Sequence, residues 1–95
     1  SAHDSFTEFL HLPPNVCRVD FKIRSLDSLT RIAVWLNMHQ AFFDDAHLTV
    51  TIWAIMSVKG LKTVLLEHRE ELASVVVGEN PLADVRINGQ PAFPE

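Results

Sequence analysis

The most regular pattern in the chain lies between residues 16 and 24, where Cys17, Val19, Phe21 and Ile23 alternate with Arg18, Asp20, Lys22 and Arg24. An apolar face and a charged face repeating every two residues define a strand buried on one side and wet on the other. His47 to Met56 reads as a second strand, rich in β-branched residues. Leu48, Val50, Ile52, Ala54 and Met56 make one apolar face, and Thr49, Thr51, Trp53 and Ile55 make the other. This strand is expected to lie centrally in a sheet. Ala83 to Ile87 alternates again, and Asn88-Gly89 after it signals a type I′ hairpin, whose two central residues need positive φ. Gln90 to Phe93 would be the returning arm, confined to an edge or tail by Pro91 and Pro94.

Three other segments show helical spacing. Asp4 to Leu12 places Ser5 and Glu8 in a capping box, and Pro13-Pro14 ends the element. Leu26 to Phe43 follows a candidate N-cap, Ser25, and lines up Leu26, Leu29, Ile32, Ala33, Leu36 and Phe43 on one side. A second stripe of Val34, Trp35, Met38 and Phe42 lies roughly opposite. Val58 to about Val77 is a third helix, capped by Ser57, with Leu61, Val64, Leu65, Leu72, Val75 and Val76 on its core side. Glu67, Glu70, Glu71 and Ser74 then face solvent, and Gly78 is the left-handed stop. The run Val75 to Val77 fits a strand as well.

The predicted order is α-β-α-β-α-β, with a short final strand. It implies an α/β (α+β) fold: a two-layer sandwich with the helices on one face of a three- to four-stranded sheet. If β-α-β units set the pairing, right-handed crossovers follow. A length of 95 residues fits a single domain, with residues 1–14 as a short helix and Pro-Pro linker ahead of an α/β core in 15–95.

Composition narrows the function. With 47% apolar and 21% charged residues, the chain is neither disordered nor collagen-like nor a coiled coil. A net charge of −4 weighs against nucleic acid, whose phosphates are met by Lys and Arg. The single Cys17 cannot close an intramolecular disulfide. With no signal peptide visible, it weakly suits a reducing, cytoplasmic setting. No apolar run approaches the roughly 20 residues of a membrane span. Three scattered glycines rule out a Gly-rich nucleotide cradle, and no cofactor is called for.

Four candidate sites remain. The helix stripe of Val34, Trp35, Met38 and Phe42, rimmed by Arg31, sits where a helix should be polar, and Trp, Met and Phe are residues that anchor protein partners. The N-terminal segment with Phe6, Phe9 and Leu10 is the internal alternative for covering it. Arg18, Lys22 and Arg24 around Trp53 would suit single-stranded nucleic acid on an open sheet face. His39, Asp44, Asp45 and His47 offer imidazole and carboxylate ligands for a metal, at a spacing that matches no motif. Ser57 to Thr63, with Lys59 and Lys62, opens a helix after a strand and could hold an anion. Cys17 on an apolar strand face is expected to be inert, and His68 to be a core or boundary histidine. The reading that follows is a non-catalytic assembly domain that self-associates or docks on a larger complex. Nucleic acid binding and metal or anion binding stand behind it.

Overall fold

The structure is a computed structural model describing residues 15–94. The chain runs β1 (Val16–Ile23), α1 (Leu26–Ala33), β2 (Met38–Asp44), β3 (Thr49–Ile55), α2 (Val58–Glu67), β4 (Leu72–Ala73), β5 (Arg86–Ile87) and β6 (Gln90–Pro91). Short 3-10 turns at Arg69–Glu71 and Pro81–Asp84 flank the loop after β4. The helix expected at 4–12, and with it the internal cover for the Trp35 stripe, lies outside the described residues.

The fold is α+β, and its sheet is antiparallel throughout, in the order β2-β3-β1-β5-β6 with β4 also on β1. Among the described residues it has six strands where three or four were expected. Among the described residues no β-α-β crossover joins neighbouring strands: α1 links β1 to β2, but β3 lies between them and pairs antiparallel with each. β3 is internal, as its apolar faces predict. β1 is internal too. Its second edge is shared by β4 at Lys22 and Ile23 and by β5 at Val19 and Asp20.

Alternation on β1 places Cys17, Val19, Phe21 and Ile23 inward, opposite Ala54, Ile52 and Val50 of β3. Ile32 and Leu36 from the α1 region and Leu61 and Leu65 from α2 join the same cluster, as do Leu72, Leu82, Val85 and Ile87. Both helices therefore cover one face of the sheet. Their caps are as predicted: Ser25 accepts from the Ser28 N–H, and Ser57 from the Gly60 N–H.

Two helices are shorter than the spacing suggests. α1 stops at Ala33 with Val34 as its C-cap, and Met38–Asp44 is a strand instead of more helix. Of the expected stripe, Ile32 and Leu36 are buried and Leu29 packs against the core, whereas Leu26 is exposed. Phe43 continued it only because seven residues make about two helical turns. Asn37 ends the run: its carbonyl accepts from the Ile55 N–H at 2.7 Å, and its side-chain amide donates to the Ile55 carbonyl at 3.2 Å. β3 thereby captures the next segment as a strand. α2 likewise stops at Glu67, with His68 as its C-cap. Leu72 then pairs with Ile23, while Val75, Val76 and Val77 lie exposed in a loop. Gly78 is left-handed at φ 88° but serves a loop turn, not a helix end.

Ala83 belongs to the Pro81–Asp84 turn, so the last strand begins at Arg86. The hairpin itself is as predicted, with Asn88 and Gly89 at φ 53° and 81°. Asn88 also ties the hairpin to β1: its N–H donates to the Arg18 carbonyl and its side-chain oxygen accepts from the Arg18 N–H. At the other hairpin, between β2 and β3, Leu48 takes a left-handed φ of 54°. There its carbonyl accepts from Ile23 N–H, and its side chain packs on the core.

The turn at Arg69–Glu71 is fastened by charge. The Arg31 guanidinium donates to both Glu71 carboxylate oxygens, at 2.6 and 2.9 Å. Arg24 contributes its N–H to the Glu71 carbonyl and its guanidinium to the Glu70 carbonyl. These bonds, Arg31 first and against the opposing cost of desolvation, hold the Glu71 carboxyl below the ordinary glutamate range. A carboxyl so depressed adds stability at every pH above its unfolded value, and loses it as pH falls through the folded value. Glu71→Gln should therefore lower Tm at pH 7 and flatten the fall of Tm between about pH 4.5 and pH 2. Melting curves of both proteins over that range check it, and an unchanged acid limb would remove the clamp from the account.

Candidate interaction surface

The proposed stripe of Val34, Trp35, Met38 and Phe42 is not one helix face. Val34 caps α1, Trp35 sits in the turn that follows, and Met38 and Phe42 lie on β2. Backbone bonds from Trp35 to Ile32 and from Leu36 to Ala33 tighten this turn, and buried Leu36 pins it to the core. Trp35 is pushed outward by this geometry and stacks on His68, with ring centroids 5.3 Å apart and planes at 26°. Arg31 belongs to the Glu71 clamp and is not a bare rim. His68 caps α2 beneath Trp35 and lies outside the core cluster.

β2 forms one edge of the sheet. Its partner is β3, with Gln40, Ala41, Phe42, Phe43 and Asp44 opposite Trp53, Ile52, Thr51, Val50 and Thr49. A bulge between Met38 and Gln40 shifts the register at its start. Phe43 faces the core with Val50, while Phe42 points to the opposite side and is 71% exposed. Met38 lies opposite Ala54, on the helix-covered side. Met38 and Phe42 thus share the strand edge but not a face, and Val34 and Trp35 lie before it. β2 contains no Lys, Arg or Pro, the residues with which edge strands ordinarily resist pairing.

The outer sheet face is less open than its sequence suggests. Arg18 pairs with Asp20 at 3.0 Å, and Asp20 also accepts from the Thr51 hydroxyl. Lys22 donates to the His47 carbonyl at 2.7 Å, and Arg24 is engaged at the Glu71 turn. Trp53 is only 8% exposed, with the Arg18 guanidinium 5.8 Å from its ring centroid. A stacked base needs an accessible ring, and this ring is covered. Beside it, a recess of about 320 Å³ is lined by Arg18, Asp20, Arg86, Asn88 and Gly89. Arg86 turns its guanidinium back onto the Gly89 carbonyl.

The four candidate metal ligands are not brought together. His39 and Asp44 stand near opposite ends of β2, about 16 Å apart at the ordinary strand rise. Asp44 instead closes the hairpin, accepting from the Ala46 and His47 N–H groups and meeting the His47 ring at 2.8 Å. The His47 bond, more than the backbone donors, lowers the Asp44 carboxyl below its usual range. Among the described residues no three His, Cys, Asp or Glu side chains converge on a common point. At the start of α2, Ser57 already accepts from the Gly60 N–H, and Lys59 and Thr63 are tied by a hydroxyl-to-carbonyl bond. Cys17 is buried, next to a pocket of about 450 Å³ that Asn15, Ile55, Met56 and Ser57 also line.

Sequence reasoning missed Glu71 and Asn37. Nothing in the spacing separates Glu71 from its neighbours Glu67 and Glu70. Asn37 did carry a signal, because an Asn amide competes with helical backbone bonds and favours breaks. No helix among the described residues is long and apolar enough to cross a membrane. The chain matches no protein-family model, and comparison with curated proteins and solved structures yields no significant match.

The two tryptophans should separate in their energetics. Trp35 is 58% exposed and Trp53 8%. Trp35→Ala should cost under about 1.5 kcal/mol, and Trp53→Ala about 3–5 kcal/mol. Urea unfolding of the two variants measures both, and equal losses would place Trp35 in the core.

Proposed function

We propose that the chain is a non-catalytic interaction domain that docks through the edge of β2, which no strand among the described residues pairs, and the apolar side chains around it. The carrying observation is Phe42, 71% exposed on an edge strand of 7 residues that bears no Lys, Arg or Pro. A strand edge offers a row of N–H and C=O groups that a partner strand can complete, and adjacent side chains supply the choice of partner. On the other, helix-covered side of the same edge, Met38 and, in the turn before it, Trp35 and Val34 add further exposed apolar side chains. The gross drive is apolar burial, about 1.5–3 kcal/mol for a large side chain fully covered. The cost of association removes much of it.

Affinity capture from a lysate tests this reading when the immobilised wild type is compared with Phe42→Lys and with Trp35→Ala/Met38→Ala. Both variants should keep the wild-type circular dichroism spectrum, because the replaced side chains are exposed or half-exposed. Proteins retained by the wild type, including further copies of the chain, should be lost from both. Retention should change little between 0.15 and 0.5 M salt, because phosphate-type contacts weaken steeply with salt and apolar docking does not (both concentrations are about the usual working range). Identical retention by folded variants would overturn the proposal, as would unfolding of the double variant.

A further inference from the structure

We propose that the recess between β1 and the Asn88 hairpin binds a small-molecule carboxylate, gripped by the Arg86 guanidinium. The sheet order sets this recess beyond β1, on the side away from β2, so it stands apart from the docking edge. Arg86 lies directly opposite Asp20 in the pairing of β5 with β1, where a salt bridge would be ordinary. Asp20 is already full, however. Arg18 donates to both of its carboxylate oxygens, at 3.0 and 3.3 Å, and the Thr51 hydroxyl donates to one of them as well. Arg86 belongs to no ion pair among the described residues. Its Nη1 donates to the Gly89 carbonyl at 3.3 Å, which leaves the Nε–Nη2 edge of the fork without an acceptor among the described residues.

Charge and shape select the ligand. Two guanidiniums and one carboxylate line the recess, so one positive charge is in surplus. A monoanion neutralises it, whereas a phosphate dianion would leave negative charge beside Asp20. The edge of a guanidinium matches a carboxylate with two parallel N–H···O bonds. Asn88 spends its side-chain oxygen on the Arg18 N–H. Its amide nitrogen has no acceptor among the described residues and supplies a further donor. The Arg18–Asp20 pair fixes the facing wall, so little ordering is left for binding to accomplish. A volume of about 320 Å³ sits at the low end for small-molecule sites. It exceeds what a carboxylate group fills, so the recess also takes a short stem.

Nuclear magnetic resonance titration of the isotope-labelled full chain with propionate, at about 0.15 M salt and about pH 7.5, tests the site. Propionate should move the Arg86 Nε and Gly89 amide signals along a saturating curve, with a Kd of about 1–10 mM. Arg69, exposed in the turn after α2, should not move. Methyl propionate, with the same stem and no charge, should shift neither signal. Methyl phosphate, chiefly dianionic at this pH, should bind at least about threefold more weakly. Arg86→Gln should weaken propionate about tenfold or more, the weight of hydrogen bonds to a charged group. Arg86→Lys keeps the charge without the fork and should weaken it about three- to tenfold. Both variants alter an exposed side chain and should keep near-native circular dichroism. Shifts that do not saturate, or that are as large at Arg69 as at Arg86, are general ion screening and overturn the site. Undiminished binding by Arg86→Gln, or tighter binding of methyl phosphate than of propionate, overturns the carboxylate assignment.

Discussion

Everything in this fold leans on β1. It is paired along one side with β3 over seven residue pairs, and along the other with β4 and β5 in turn. Its inward side chains form the floor on which both helices rest. The alternation of Cys17, Val19, Phe21 and Ile23 with charged residues also sets the register, because a slip by one residue would send Arg18, Asp20 and Lys22 into the core. The outward residues answer one another locally, with Arg18 on Asp20 and Thr51 on Asp20. The strand carries charge on a largely covered face without leaving a buried side-chain donor or acceptor unmatched among the described residues.

The second constraint is the return of the chain after α2. A helix continuing past Glu67 would carry Leu72 away from Ile23. The clamp of Arg31 and Arg24 on the Glu71 turn brings the backbone round, so that β4 can lie on β1. Arg31 spans from α1 to this turn, so the pair also holds the helix layer in place. The energetic value of a partly screened pair is modest. Its geometric effect is to tie the turn after α2 to α1 and to the end of β1.

The parts of this architecture that sequence reading recovered are those dominated by local chemistry. Period-two alternation located β1 and β3, side-chain oxygens located both helix caps, and Asn88-Gly89 located the last hairpin. Tertiary competition decided what it missed. Met38 to Phe43 suits either helix or strand, and the vacant edge of β3 decided the matter, with Asn37 making the first bonds. Val75 to Val77 extends a helical stripe in projection, but β-branched residues gain little from it once Leu72 is taken by Ile23. The candidate surface was partly legible for the same reason. Its residue types stood out as apolar, while the strand edge that carries Met38 and Phe42 depended on a pairing that no local pattern contains.

The bond pair between Arg18 and Asn88 joins positions 70 residues apart in the chain. Such a contact carries a large loop-closure cost before it yields any gain, and topologies built on distant pairings fold slowly. It also orders events during synthesis. β1 emerges from the ribosome before its partners and meets β3 within a few dozen residues, but part of its second edge stays unclosed until the Asn88 turn has followed. During that interval the half-built sheet exposes two unpaired strand margins, β1 as well as β2, and is most vulnerable to pairing with the wrong chain.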